Sequence, residues 1–192
     1  MRVSRAQAEE NRQNVIDVAS RLFRQHGFDG IGLKDLMEAA GMTQGAFYKQ
    51  FASKEDLIAE ASARAMESAS ARWASALAED VNDPLGAVIA FYLSNGHRKE
   101  KLKGCPLVAL GADAARQSAG VKASFESGIR EHLRVLTRLL AQADTDEKRD
   151  KATAILSTMV GAVTLARVVN DPRLAQSFLD VAAASVRQIA SS

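Results

Sequence analysis

The stretch LKDLMEAAGMTQGAFYKQF, residues 33–51, decides the fold prediction for the N-terminal part of the chain. The apolar residues before Gly41 recur at the spacing of a short helix, and Thr43 is a favourable N-cap for a second one. Gly41 then provides a tight turn between them. Two short helices joined in this way form a helix-turn-helix.

The second short helix combines an apolar side with a polar side. Over about two turns, residues 43–50, Phe47 and the following Phe51 are four apart and can enter a core together. The opposite side carries Gln44, Gly45, Tyr48 and Lys49. An amide can pair with a base edge in the major groove, and a phenol and an ammonium can contact phosphates. The pattern indicates a DNA-reading helix, although two core helices meeting at a glycine would give the same turn.

Basic residues lie where phosphates would be expected beside such a helix. Lys34 and Lys54 begin two helices, next to free backbone N–H groups, and Arg2 and Arg5 form an N-terminal arm. The net charge is only +2, and up to Glu60 the acidic residues outnumber the basic ones by one. A DNA-binding prediction therefore depends on where the charges lie.

The chain as a whole has the composition of an all-α protein. It has 192 residues, 47% of them hydrophobic, 25% charged and only three prolines, which favours about nine helices. Helix signals include a first helix over Arg5–His26, a capping box at Ser53 to Asp56, and N-cap-proline pairs at 83–84 and 171–172. Further helices are expected over 107–116 and 118–140, and the polar residues 143–150 are expected to form a turn.

Several classes of protein and site are disfavoured. A single cysteine, Cys105, excludes an internal disulfide, and the three histidines, His26, His97 and His132, lack metal-ligand spacing. No apolar run approaches the ~18 residues of a membrane helix, and the N-terminus is too polar for a secretory signal. A cytoplasmic protein without metal or cofactor is expected.

The segment NRQNVIDVASRLFRQHGFDGIGLKDLMEAAGMTQGAFYKQFASKEDLIAEA, residues 11–61, resembles the DNA-binding domain of the TetR family of transcriptional repressors. The resemblance implies a helix-turn-helix DNA-binding domain over 1–52. It also implies a larger helical ligand-binding and dimerisation domain over 53–192, with the fourth helix shared. Such a repressor would leave its operator when a small molecule binds or a thiol is modified.

The resemblance also assigns roles to individual residues. It places Thr43, Gln44, Gly45 and Ala46 near base edges and Tyr48, Lys49 and Lys54 near phosphates. It places Lys34 at a position of the second helix that often carries a basic DNA contact. Gly32 departs from the family, which usually has Ser or Thr there to cap the second helix. Weaker anchoring on DNA is the expected consequence.

The segment GCPLVALGADAARQSAGVKASF, residues 104–125, is similar to a branch of the family with a Gly-Cys-Pro-Leu motif, some of whose members sense electrophiles or oxidants. Lys101 and Lys103 would favour the reactive thiolate of Cys105. If the thiol points inward, it would instead be a small inert hydrophobic group.

The last two helices carry apolar stripes too wide for one partner, which predicts a homodimer through these helices, although both stripes could instead be buried within a monomer. Two recognition helices would then lie about 34 Å apart, on a near-palindromic operator. Candidate contacts for a small-molecule inducer are large or polarisable residues on Ala-rich helices. They are Trp73, Phe91, Tyr92, Cys105, Phe125, His132, Met159 and Arg167.

Two other functions remain open from the residues. An enzyme could use Cys105 as nucleophile with His97 or His132 as base, but no local catalytic signature surrounds the cysteine. Alternatively, the dimer could bind a protein partner in place of DNA through the same helix. A salt-sensitive gel shift would distinguish DNA from a protein partner.

Overall fold

The computed structural model describes residues 4–140 and 145–192, and within these ranges it contains helices and no strand. The helices are α1 (Arg5–His26), α2 (Leu33–Ala39), α3 (Gln44–Phe47), α4 (Lys54–Glu79), α5 (Pro84–Tyr92), α6 (Asn95–Lys99), α7 (Pro106–Ala114), α8 (Ala119–Leu139), α9 (Thr145–Val168) and α10 (Pro172–Ser191). The all-α prediction is confirmed. The helix that the sequence pattern did not indicate is the five-residue α6.

The predicted capping residues set several helix ends. α1 has the predicted bounds and ends at Gly27, whose φ of +79° lies in the region that favours glycine. The side chains of Asp83 and Asp171 each accept a backbone N–H bond at the start of α5 and α10. Ser53 Oγ accepts from the N–H of Asp56 at 3.1 Å, where α4 begins.

The prediction of a turn over residues 143–150 is wrong from Thr145 onward, because α9 begins at that residue. Residues 143 and 144 lie outside the described residues. Asp146 and Glu147 fall in the first turn of α9, where carboxylates interact favourably with the helix dipole. A polar cluster of this kind is therefore as typical of a helix start as of a turn.

The described chain divides into two compact units. The first unit runs to Glu67 and includes Lys101–Glu126; the second comprises Ser68–Glu100 and the residues from Ser127 to the C-terminus. The first unit thus contains α7 as well as the three N-terminal helices. The domain boundary between residues 52 and 53 stays a prediction for the DNA-binding part.

The core of the first unit forms around α1 and the N-terminal half of α4. Phe23 and Phe28 meet edge to face at 5.4 Å, and both are almost fully buried. The helix α7 adds Leu110 and Ala114 to the same cluster. Arg24 is buried and donates to the carbonyl of Gly104 at 3.2 Å, so this core also fixes the segment before α7.

The core of the second unit includes an extensive contact between α9 and α10. Its fully buried side chains include Ile155, Met159, Val163, Leu179 and Val186. Contrary to the expectation from the sequence, the stretch Asp146–Val168 within the described residues is long and apolar enough to cross a membrane by length and composition. Because its apolar face packs against α10 in this core, we interpret it as a core helix.

Candidate functional site

The turn between α2 and α3 has the geometry that the sequence predicts. Gly41 adopts a φ of +71°, a conformation that other residues rarely take. Its N–H donates to the carbonyl of Glu38 at 2.9 Å, and the next N–H, of Met42, donates to Met37 at 2.8 Å. These bonds satisfy the last carbonyls of α2 and reverse the chain tightly.

The helix α3 is shorter than the two turns expected over residues 43–50. It spans Gln44–Phe47, and hydrogen-bonded turns follow, with the N–H groups of Gln50 and Phe51 donating to Phe47 at 2.8 and 3.0 Å. Thr43 holds the N-cap position with extended backbone, but its hydroxyl makes no capping bond. That hydroxyl is therefore not used to begin the helix.

Two phenylalanines anchor this segment in the core of the first unit, as predicted. Phe47 is 1% exposed and Phe51 is 4% exposed. Their rings stack with centroids 5.3 Å apart, and the guanidinium of Arg12 lies 4.9 Å from the centre of the Phe51 ring. The polar side of the segment must then face outward, because successive side chains of a helix point in different directions.

The candidate base-contacting and phosphate-contacting residues on this segment are mostly exposed. Thr43, Gln44, Gly45 and Lys49 are exposed, and Ala46 is half-buried. Tyr48 is 68% exposed, with its ring edge on to Phe47 at 5.3 Å. A methyl group added at Gly45 would meet nothing within 4 Å, so the fold itself does not require glycine there. A bare backbone at an open position suits close approach by another molecule.

The two candidate lysines outside α3 lie in different surroundings. Lys34 is exposed and forms a surface ion pair with Glu38 at 3.8 Å. Lys54 is half-buried, and its Nζ donates to the carbonyls of Phe28 and Ile31 at 2.7 and 3.0 Å. Two of the three N–H donors of Lys54 thus stabilise the connection between α1 and α2, which leaves one for a phosphate.

Residues of α1 position this surface, and sequence reasoning did not identify them. Besides stacking on Phe51, Arg12 donates to the carbonyl of Gln50 at 3.4 Å and pairs with Glu60 at 2.5 Å. Asn14 Nδ2 donates to the carbonyl of Ala40, at the end of α2, at 2.9 Å. These bonds join residues 26 to 48 positions apart, so no local pattern could have indicated them.

Aromatic side chains cluster in the second unit, among the candidate inducer contacts. The ring of Trp73 lies 4.4 Å from that of His132 and 5.8 Å from that of Tyr92, and all three residues are buried. Both ring nitrogens of His132 are buried without a hydrogen-bond partner among the described residues. Burial lowers the pKa of His132 to about 4, and a weak interaction with the backbone of Gly128, too distorted to count as a hydrogen bond, offsets part of this lowering.

His97 extends this cluster and is held by its own hydrogen bond. Its Nδ1 lies 2.7 Å from the carbonyl of Tyr92, and its ring lies 4.5 Å from the Tyr92 ring and 5.2 Å from that of Phe91. Burial lowers the pKa of His97 to about 4, mainly by removing the imidazolium from water. Both histidines are therefore neutral at pH 7.

The remaining inducer candidates have structural roles. Arg167 donates to the carbonyls of His97, Arg98 and Glu100 at 2.8–3.2 Å, so it closes the end of α6. Met159 is fully buried in α9. In the first unit, Phe125 belongs to the core cluster, and Cys105 is 4% exposed at the N-cap of α7.

Family models match both parts of the chain. Residues 15–61 match the model described as bacterial regulatory proteins, tetR family. Residues 82–182, more than half of the chain, match the model described as tetracyclin repressor-like, C-terminal domain. The first match contains the turn at Gly41 and the whole of α3.

Individual relatives and solved structures agree with these models. The HTH-type transcriptional regulator LmrA of Bacillus subtilis is 26% identical over 156 residues, which cover 79% of this chain and 82% of LmrA. AcrR of Shigella flexneri is 44% identical over 59 residues, 31% of this chain and only 27% of AcrR. A TetR transcriptional regulator of Chloroflexus aurantiacus has a TM-score of 0.78 at 26% identity, covering 95% of this chain and 97% of that one.

The matching relatives are regulators by name, and the matched residues include both the turn that presents α3 and most of the second unit. The chain belongs to the TetR family of bacterial transcriptional regulators.

Proposed function

We propose that this protein is a cytoplasmic, homodimeric repressor that binds a near-palindromic DNA operator through α3. The observation that carries this proposal is the outward polar face of α3, held on two buried phenylalanines. Gln44 would read a base edge, and Tyr48 and Lys49 would contact phosphates on either side. Thr43, Gly45 and Ala46 complete the surface that would approach the bases.

Lys34 and Lys54 would add phosphate contacts at the edges of this surface. Lys34 is exposed, and its ion pair with Glu38 is a surface pair of the kind that contributes little. Lys54 would use the single N–H donor that its bonds to Phe28 and Ile31 leave over. Arg2, proposed as part of a basic arm, lies outside the described residues.

The proposed dimer forms through α9 and α10. Four large apolar side chains on these helices are 45–75% exposed in the single chain: Leu165, Val168, Leu174 and Val181. Exposed apolar side chains concentrated on two neighbouring helices are typical of an interface between copies. A two-fold dimer would place two α3 segments one DNA turn apart.

The proposed inducer is a small molecule that contacts the aromatic cluster of the second unit. His132 offers one hydrogen-bond donor and one acceptor beside the indole of Trp73, and neither meets hydrogen-bond geometry with another described residue. Tyr92 and Phe91 add apolar surface, whereas Met159 and Arg167 would support the cluster from α9. The ligand would release DNA only if it bound one spacing of the α3 segments more tightly than another.

Modification of Cys105 is a second proposed release signal. The sequence similarity around the Gly-Cys-Pro-Leu motif favours it, while the burial of the thiol in the first unit limits access to it. Lys101 and Lys103, the nearby cations expected to activate it, are exposed. A reagent would therefore need a local opening at the start of α7 to reach the sulfur.

The experiment that tests the repressor proposal is equilibrium binding to the DNA upstream of the chain's own coding region. We expect specific, salt-sensitive binding of a dimer, because phosphate contacts release counterions. A salt-insensitive interaction, or none above that with unrelated DNA, would contradict operator binding and favour a protein partner. An enzyme is disfavoured because the relatives that match are regulators.

A further inference from the structure

An open groove of about 560 Å³ lies in the second unit, along the C-terminal part of α8 and the first half of α9. We refer to it as the arginine groove. It is lined by Arg130, Leu133, Arg134, Thr137, Arg138, Arg149 and Thr153. Among the described residues, four of the seven that line the groove are arginines, and none of the seven is acidic.

The arginines are arranged so that their charges accumulate. Arg130, Arg134 and Arg138 are spaced four apart on α8 and therefore share one face, about one turn from each other. Arg149 adds a fourth guanidinium from α9. Like charges at this spacing oppose helix formation, and an anion in the groove would relieve that repulsion.

Arg130 already makes a polar or charged interaction, and two further arginines have acidic neighbours outside the groove in exposed pairs. Arg134 pairs with Glu131, and Arg149 Nη1 lies 3.3 Å from Asp146. The arginine side chains in these pairs are 55% and 69% exposed. Exposed pairs of this kind contribute little, so either guanidinium can turn to a ligand at small cost.

The other lining groups offer apolar surface and few donors. The hydroxyl groups of Thr137 and Thr153 each donate to a carbonyl of their own helix at 2.8 Å, so their hydrogens are already used. Leu133 and the threonine methyl groups are apolar. Donors into the groove are thus mainly guanidinium N–H groups, whose planar fork matches a phosphate or carboxylate with two bonds at once.

We propose that the arginine groove binds an organic phosphate ester of nucleotide size that carries two or more phosphates. Four guanidinium groups exceed what a single carboxylate can satisfy, while a chain of phosphates supplies enough charge and acceptors for all of them. The groove volume falls within the range of small-molecule sites, about 300–1,000 Å³, and leaves room for an organic part on Leu133. This site goes beyond the operator and inducer proposals and does not depend on them.

The test is calorimetric titration of the full chain, without magnesium, with ATP, tripolyphosphate, adenosine and citrate as probes. We expect one ATP per chain, weaker binding of tripolyphosphate, and no binding of adenosine. The double variant Arg134→Gln/Arg138→Gln should raise the Kd for ATP by more than about tenfold, because it removes two charge-assisted contacts. Both side chains lie on the surface, and an unchanged melting temperature would verify folding.

The matched control removes two exposed charges from α10 in the same unit, as Arg173→Gln/Arg187→Gln, and should leave the Kd within about twofold. An equal loss of ATP affinity in the control would show that binding depends only on the net charge of the protein, and it would overturn the proposal. Citrate binding as tight as that of tripolyphosphate would overturn the phosphate assignment. Loss of ATP binding in Lys49→Ala would place the anion on α3 and would also contradict the proposal.

Discussion

The two units hold their candidate functional residues in opposite ways. In the first unit, α3 presents Gln44, Tyr48 and Lys49 to solvent from a phenylalanine-anchored core. In the second unit, Trp73 and His132 are buried at 2% exposure, and so are both ring nitrogens of His132. The exposed face of α3 would bind DNA, whereas the buried cluster around Trp73 would bind a small molecule. We therefore expect the two units to respond differently to substitution and to pH.

The largest effect is expected from removing the anchor of α3. Phe47→Ala should destabilise the first unit by about 3–5 kcal/mol, because it deletes a buried ring that stacks on Phe51. Operator binding should be lost together with the fold. Urea denaturation followed by circular dichroism measures the stability change. A Phe47→Ala protein of normal stability would show that the outward face of α3 does not depend on this anchor.

In the second unit, acid should be more damaging than in an ordinary helical domain. The pKa of both His97 and His132 is lowered to about 4, below the unfolded value near 6.5. Their contribution is therefore intact above pH 6.5 and is lost as pH falls from about 6.5 to about 4. The loss should approach about 3 kcal/mol for each histidine.

The fluorescence of Trp73, the single tryptophan, reports this loss directly, since its ring lies 4.4 Å from His132. His132→Gln, which cannot titrate, should remove about half of the pH dependence of unfolding between pH 6.5 and 5. The exposed His26, changed to Gln, is the control and should alter nothing. An unchanged pH profile in His132→Gln would contradict the buried, neutral state of this residue.

Lys54 combines a structural role in the first unit with a proposed contact to DNA. Lys54→Met keeps the stem but leaves the carbonyls of Phe28 and Ile31 without their donor, which should cost about 1–3 kcal/mol of stability. Denaturation of the DNA-free protein measures this structural role. If Lys54→Met has the stability of the wild type but a lower operator affinity, Lys54 only contacts DNA, and its two bonds to carbonyls do not stabilise the fold.

The smallest effect is expected from a change on the exposed face. Tyr48→Phe removes one hydroxyl and should weaken operator binding about three- to tenfold, the usual value of one hydrogen bond. Stability should stay within about 0.5 kcal/mol, because the side chain is 68% exposed. Fluorescence anisotropy with labelled operator measures the first quantity and thermal unfolding the second. Equal operator affinity for both proteins would remove Tyr48 from the interface.

The sequence predicted the first unit better than the second for a physical reason. The turn at Gly41, the spacing of Phe47 and Phe51 and the cap at Ser53 act over a few residues, so they can be recognised in order along the chain. The exposure of Gln44 and Lys49 then follows from helix periodicity. The length of α3 was overestimated because hydrogen-bonded turns continue the same spacing of side chains.

The second unit depends on contacts between distant residues. Trp73 contacts His132, 59 positions along the chain, and Arg167 donates to the carbonyl of Arg98 in α6, 69 positions away. No pattern in one helix indicates such partners, so the list of inducer candidates mixed residues of the aromatic cluster with core residues such as Phe125. Even in the first unit, the positioning roles of Arg12 and Asn14 were missed for this reason.

The most direct test of the central claim is the salt dependence of operator binding for Lys49→Ala against Lys122→Ala, an exposed lysine of the first unit on α8. If α3 lies in the major groove, Lys49→Ala should weaken binding and lower the slope of log K against log salt by about 1. Lys122→Ala should change neither quantity. Equal slopes for the wild type and Lys49→Ala would show that the exposed face of α3 does not meet DNA.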